Sequence, residues 1–263
     1  MSADRQAVTL RAHAKLTWTL RVTGTRDDGY HLIDAEMVSL DLHDVVRIDP
    51  SGSGLTIGGR FAAGIPVDGS NLIARALDHA GRTAAVHLDK RIPHGGGLGG
   101  GSTDAATVLR WAHDQRPPTT ADLADAAWLG ADIAFCLVGG RARVRGIGEL
   151  VEPLPHVDRT VTLVAPPVVV STPDVYRAWD RLGGPTTDGP NDLEPAALAA
   201  VPELARWRDL IEARTGAAPV LAGSGATWFS VGEHQDALAD LVDEGAHVVV
   251  ARTVPAAVAI GTA

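Results

Sequence analysis

Residues 95–101 read Gly-Gly-Gly-Leu-Gly-Gly-Gly, and Ser102, Thr103 and Asp104 follow at once. Residues without a side chain leave their amides bare and enter positive φ freely, at a larger entropic cost on folding than any other type. A helical pattern starts directly after the run. The first N–H groups of a helix lack partners inside it, and its dipole adds partial positive charge there. The chemistry that suits this combination is anion binding, above all of a phosphate. A flexible surface linker would also use glycine, but here a strand pattern precedes the run and a helix pattern follows it closely.

Gly95, Gly97 and Gly100 satisfy G-x-G-x-x-G. A dinucleotide site places that motif after a first strand, with an acid about twenty residues further on; here several strand patterns come before it. A Walker A loop needs a lysine before its hydroxyl residue, whereas Gly101 stands directly before Ser102. The H-R-D and D-F-G signatures of protein kinases are missing from the sequence.

The elements that must position these residues are legible as patterns. Residues 7–24 and 36–49 alternate as strands around a turn at 25–31, and 51–54 mark another turn. Residues 71–82 have helical spacing, with Gly81 able to end the helix, and 84–92 read as a strand into the glycine run. A helix over 102–114 follows, which Ser102 or Thr103 can cap, with Asp104 as a favourable first-turn acid. Residues 120–140 form one further helical region, with Thr120 as its cap. Residues 141–155 read as strand, turn and linker, and the proline-bearing stretch 152–158 is the expected boundary. Beyond it come a strand (161–166), a helix (172–182), a loop (183–192) and a helix (202–214). A strand–glycine turn–strand unit (218–231), a helix (234–245) and a final strand (246–254) complete the chain. The expectation is α+β with two domains, 1–154 and 155–263.

The 263 residues carry a net charge of −9, which argues against a general nucleic-acid or membrane-surface binder. The one cysteine, Cys136, forbids an intrachain disulfide and suits a reducing cytoplasm. It sits in an apolar stretch and reads as a core residue. The polar start (residues 1–6) resembles no signal peptide, and the longest apolar stretches, including residues 254–260, are too short to cross a bilayer. No His/Cys/Asp spacing makes a zinc site.

The stretch 93–106, Pro-His-Gly-Gly-Gly-Leu-Gly-Gly-Gly-Ser-Thr-Asp-Ala-Ala, resembles the second motif of the GHMP kinases, small-molecule kinases such as galactokinase, homoserine kinase and mevalonate kinase. Its long form is most similar to the branch that phosphorylates a cytidine diphosphate-linked polyol on the way to isoprenoid precursors. Residues 14–31, 70–77, 129–149, 191–195 and 221–229 resemble other stretches of that branch, in the same order. Three positions depart from it: Thr17 stands where the branch usually has Asn, Ala134 where it has Pro, and Ala222 where it has Ser.

The resemblance implies a ribosomal protein S5-like N-terminal domain, a ferredoxin-like C-terminal domain and a cleft between them. It implies that Gly95, Gly96, Gly97, Leu98, Gly99, Gly100 and Gly101 hold the phosphates of ATP. A hydroxyl of Ser102 or Thr103 would assist Mg2+ or phosphate, although both are equally compatible with capping. Asn71 would lie near the nucleotide, or cap the helix that starts there. By resemblance Asp132 is the base that takes the acceptor's proton and Lys15 its cationic partner. Thr17, Tyr30, His31 and Tyr176 would face the acceptor, with Tyr176 stacking on the base; residues 25–31 are also compatible with a plain hairpin turn. Gly223, Ser224 and Gly225 would bring a tight turn to the site, or form an ordinary hairpin. The partner implied is a small-molecule substrate, with no nucleic acid, no membrane, no protein metal site beyond Mg2+ carried by ATP, and a monomer or weak homodimer. Rival expectations are a kinase for homoserine or a mevalonate-type acceptor, and a non-catalytic nucleotide or sugar sensor.

Overall fold

The computed structural model describes residues 6–256. The polar start through residue 5 and the end of the apolar stretch at 254–260 therefore lie outside the described residues, as do the outer ends of the two expected domains.

Strands β1 (Val8–Thr25) and β2 (His31–Asp49) form a long antiparallel hairpin. On its other edge β2 pairs in turn with three strands. Ile33–Val38 pair with β5 (Arg141–Gly146), Ser39 and Leu40 with β10 (His247–Val254), and Val45–Asp49 with β4 (Ala85–Asp89). Strand β3 (Gly54–Gly58) lies parallel to β4, and β6 (Leu150–Leu154) antiparallel to β5. Helices α1 (Leu72–His79), α2 (Gly100–Ala112), α3 (Thr120–Leu129) and α4 (Ile133–Val138) bury their apolar faces in the main core with this sheet. So β2 is a spine from which the remaining elements take their register.

The second group of strands is β7 (Thr160–Ala165), β8 (Val220–Leu221), β9 (Trp228–Val231) and β10, ordered β10-β7-β9-β8 with antiparallel neighbours. Helices α5 (Thr172–Arg181), α6 (Glu194–Ala200) and α7 (Glu203–Thr215) lie between β7 and β8, and a 3-10 helix (Asp236–Val242) lies between β9 and β10. That is the fourth-first-third-second order of a ferredoxin-like βαββαβ unit.

A small apolar cluster joins the two groups: Ala14 and Leu16 of β1, Ile92 and Leu98 beside and within the glycine run, Val161 and Leu163 of β7, with Ala222 and Phe229. Leu98, the one side chain in the run, is buried there and anchors the loop. A polar bolt adds to it. Asp192 accepts hydrogen bonds from the N–H groups of Val22 and Thr187 at 3.1 and 3.0 Å and from Arg21 at 2.7 Å. Its neighbour Asn191 donates to the carbonyls of Leu221 and Gly223 at 2.9 and 2.7 Å.

Several expected boundaries move. Helix α2 begins at Gly100 behind a left-handed Gly99 (φ 64), so Ser102 and Thr103 lie inside its first turn and cap nothing. Thr119, not Thr120, caps α3, in a capping box with Asp122. The helical region 120–140 breaks at Gly130–Asp132, and Glu152–Leu154 extend β6 where a linker was expected. Strand β3 and helix α6 had no sequence reading.

Asp192→Ala leaves two buried amides without an acceptor and Arg21 unpaired. It is expected to cost about 3 kcal/mol of unfolding free energy, read as a lower urea midpoint at unchanged slope.

Candidate active site

Neighbouring backbone at Gly97, and neighbouring side chains at Gly96 and Gly99, leave little room for a side chain in the glycine run. A Cβ at Gly97 (φ 77) would stand 2.7 Å from the carbonyl oxygens of both Ala222 and Gly225. At Gly96 it would meet Thr227 Oγ1 at 2.8 Å, and at Gly99 it would meet Lys15 Cβ at 3.1 Å. Gly95 meets nothing within 4 Å, and a Cβ at Gly101 would touch only Leu72 at 3.5 Å. The Thr103 N–H already reaches back to the Gly99 carbonyl at 2.8 Å. The amides of Gly100, Gly101 and Ser102 come earlier in the helix and have no partner within it. With the glycine run they make up the expected cradle, of which Gly97 and Ser102 line the cavity described below.

Lys15 reaches this cradle through an irregularity in β1. The register with β2 shifts between His13 and Lys15, and the Lys15 N–H leaves the ladder to bond the Leu98 carbonyl at 2.9 Å. A bulge of this kind re-aims a side chain. Buried Lys15 Nζ lies 3.0 Å from Asp132 Oδ2, 3.2 Å from the Gly97 carbonyl and 3.3 Å from Thr17 Oγ1. Asp132 is the residue before α4, in the break after Leu129. The β5–β6 turn presses on that break: a Cβ at Gly148 (φ 118) would stand 2.4 Å from the Ala131 carbonyl oxygen. The Asp132 side chain is 31% exposed, a carboxylate held by a cation yet open to a ligand.

That opening is a cavity of about 560 Å³. Lys15, Thr17, Tyr30, His31, Gly97, Ser102, Asp132, Tyr176, Gly223 and Ser224 all line it. One wall is aromatic. The rings of His31 and Tyr176 stack at 4.6 Å and 23°, so Tyr176 rests on His31 itself. His31 Nε2 meets Asp180 Oδ1 at 2.7 Å, and burial raises the Tyr176 phenol pKa well above its ordinary value. Half-exposed Tyr30 faces Trp128 edge-on at 6.4 Å. Ser224 and Thr172 share a hydroxyl hydrogen bond of 2.8 Å at the rim.

Other expected residues stand back from the cavity. Leu98 turns its side chain into the core, and the Thr103 side chain is buried. Gly225 packs on Leu221 and Gly97. Asn71 uses both ends of its amide locally, accepting from the Ile73 N–H at 2.8 Å and donating to the Pro66 carbonyl at 2.7 Å. It caps α1, one residue before the Leu72 that touches Gly101. Among the described residues no group of three or more His, Cys, Asp or Glu could hold a metal ion. Cys136 is buried and its thiol is pushed up to about 12.

One sequence reading is overturned, and two further features had none. Asp104 is not a solvated first-turn acid: it is buried and accepts from buried Lys90 at 2.8 Å, while Lys90 also bonds Asp44. Two carboxylates share one ammonium there, and burial raises the Asp104 pKa to about 8. Asn191 holds the 221–223 turn, and Trp128 stands exposed beside Tyr30.

The glycine turn, the start of α2 and the ion-paired acid thus meet at one cavity. The model of the GHMP kinase N-terminal domain matches residues 71–140. A 4-diphosphocytidyl-2-C-methyl-D-erythritol kinase of Paracoccus denitrificans is 40% identical over 241 residues, covering 84% of this chain and 85% of its own. A crystal structure of 4-(cytidine 5'-diphospho)-2C-methyl-D-erythritol kinase superposes with a TM-score of 0.75 at 32% identity, over 94% of this chain and 99% of that one. A homoserine kinase from Cytophaga hutchinsonii shares the fold, with a TM-score of 0.64 at 16% identity over 98% of both chains. The chain belongs to the GHMP kinases and, within them, to the 4-diphosphocytidyl-2-C-methyl-D-erythritol kinase family.

Asp104 takes up a proton on folding at neutral pH, because its folded pKa lies above the ordinary value of 3.8. Its contribution to stability is full below that value and is lost as pH rises toward about 8. Asp104→Asn removes the dependence. Its melting temperature relative to the unaltered chain is expected to climb between pH 5 and 8 and then level off, measured by calorimetric scans across pH.

Proposed function

We propose that this chain transfers the γ-phosphoryl group of ATP to the 2-hydroxyl of 4-diphosphocytidyl-2-C-methyl-D-erythritol, in isoprenoid precursor biosynthesis. The observation that carries the reading is the Lys15–Asp132 pair, 3.0 Å apart, at a cavity that also reaches Gly97 and Ser102. The names of the relatives support the choice of acceptor.

Phosphoryl transfer needs positioning and charge neutralisation more than covalent help from the protein. The amides of Gly100, Gly101 and Ser102 bind the phosphates, and the glycines from Gly95 to Gly99 let them approach the main chain. Mg2+, bound with ATP, neutralises phosphate charge; the Ser102 hydroxyl, lining the cavity, is the group placed to assist it. Asp132 takes the proton from the acceptor hydroxyl. Lys15 pairs with that carboxylate and stabilises the negative oxygen as it forms. His31, Tyr30 and Tyr176 provide a polar reader and ring faces for cytosine, and Thr17, Gly223 and Ser224 line the space toward the polyol.

In this reading residues 1–154 are the ATP-binding domain and residues 155–263 the C-terminal domain, with the acceptor between them. A single buried cysteine fits work in the cytoplasm, and among the described residues no helix is long and apolar enough to cross a membrane.

Asp132→Asn is expected to lower kcat by about 10²-fold or more while ADP affinity by calorimetry stays within about threefold of the unaltered chain. Near-normal turnover removes Asp132 as the base. In a coupled ADP-release assay the cytidyl substrate is expected to be turned over, and homoserine and mevalonate not. Turnover of either one in its place assigns a different acceptor, and ligand binding without ADP release makes the chain a sensor.

A further inference from the structure

Beneath the glycine turn lies a polar group that the chemistry above does not use. Lys90 follows β4, Asp44 belongs to β2 and Asp104 to α2, and all three are buried. Lys90 Nζ donates to Asp44 Oδ2 and, at 2.8 Å, to Asp104 Oδ2. The other oxygen of Asp44 accepts the N–H groups of Arg91 and Ile92 at 2.5 and 2.8 Å. The other oxygen of Asp104 is enclosed without a partner. A Cβ on Gly100 would stand 2.7 Å from Lys90 Nζ, so the ammonium lies directly against the first residue of α2.

A buried cation between two acids is expensive to assemble, and apolar side chains of similar volume would stabilise a core at least as well. Its position gives the better reason for it. Arg91 and Ile92 are the entry to the glycine turn, whereas Gly100 and Asp104 are its exit. Both ends are therefore tied to one rigid strand, β2, while the turn between them carries the glycines and has little stiffness of its own.

We propose that Lys90, with Asp44 and Asp104, is a positioning unit that clamps both ends of the glycine turn and so aims its amides at the triphosphate. The proposal rests on the reading of that turn as the ATP site. The three residues act through the main chain and touch neither substrate. Loss of the clamp loosens the two ends of the turn, while Lys15 keeps its place in β1 and its contacts with Asp132 and Thr17. The effect falls on nucleotide affinity.

The test is steady-state kinetics with ATP and acceptor varied separately, together with ADP titration calorimetry. Asp104→Ala is expected to raise both the KM for ATP and the Kd for ADP tenfold or more, with the acceptor KM unchanged and kcat within threefold. Lys90→Met is expected to show the same split. Asp104→Asn still accepts from Lys90 and is expected to restore the ATP KM to within about twofold. Equal rises in both KM values, or no rise, overturn the proposal. So does an Asp104→Ala chain that does not fold, because the network would then hold the whole domain and not the turn. An unaltered chain that binds no ADP overturns the ATP reading itself and this proposal with it, an outcome distinct from failure of the variants alone.

Discussion

The site depends on a close approach of backbones. The turn at 95–101 lies against β1 on one side and against the 222–225 turn on the other, with Gly97 facing two carbonyl oxygens at a distance that no side chain tolerates. Glycine at 96, 97, 99 and 100 follows from sterics before any ligand is considered. The consequence is chemical all the same. Where side chains are excluded by neighbouring backbone, the amides that remain are uncovered on their open side, and a helix N-terminus directs its own amides into the same space.

The chain has two lysines, and both lie beside the glycine turn. Lys15 is buried against one carboxylate, one carbonyl and one hydroxyl, and no second acid reaches it in the structure. Lys90 is buried with two acids, and the raised pKa of Asp104 keeps that group near neutral at pH 7. The two lysines flank the same turn with different tasks. One lines the cavity; the other is enclosed beneath the turn.

How much of this was legible in the sequence follows from the range of each interaction. The alternation over 36–49 is a local pattern and falls within β2, and Asn71 takes the capping role that the sequence left open beside a place near the nucleotide. The α2 cap was misread because Gly99, with φ 64, starts the helix from the left-handed region and needs no hydroxyl. Thr119 and Thr120 are neighbours, and only the contact with Asp122 distinguishes them. Strand β3 is five residues with glycine at both ends, and α6 opens on a proline in a soft loop, so neither carries a clear period. The pairing of Lys15 with Asp132, and of Lys90 with Asp44 and Asp104, joins residues far apart in the chain. No periodicity encodes such contacts; a family resemblance suggested the first pair and nothing suggested the second.

The three departures from the branch pattern become intelligible in the fold. Thr17 presents its hydroxyl to Lys15 Nζ at 3.3 Å and lies beneath Gly223, where a Cβ would meet it at 3.4 Å. A β-branched residue suits a strand, and its oxygen keeps a polar contact with the lysine that an amide would also make. Ala134 is fully buried in the first turn of α4, a place that tolerates proline as well as alanine because its N–H has no partner within the helix. Ala222 is buried in the cluster that joins the two groups of strands, and its carbonyl, not its side chain, faces Gly97. Each change leaves the Lys15–Asp132 contact and the glycine turn intact. Thr17 and Ala222 line the cavity beside that pair, whereas Ala134 lies in the core behind it.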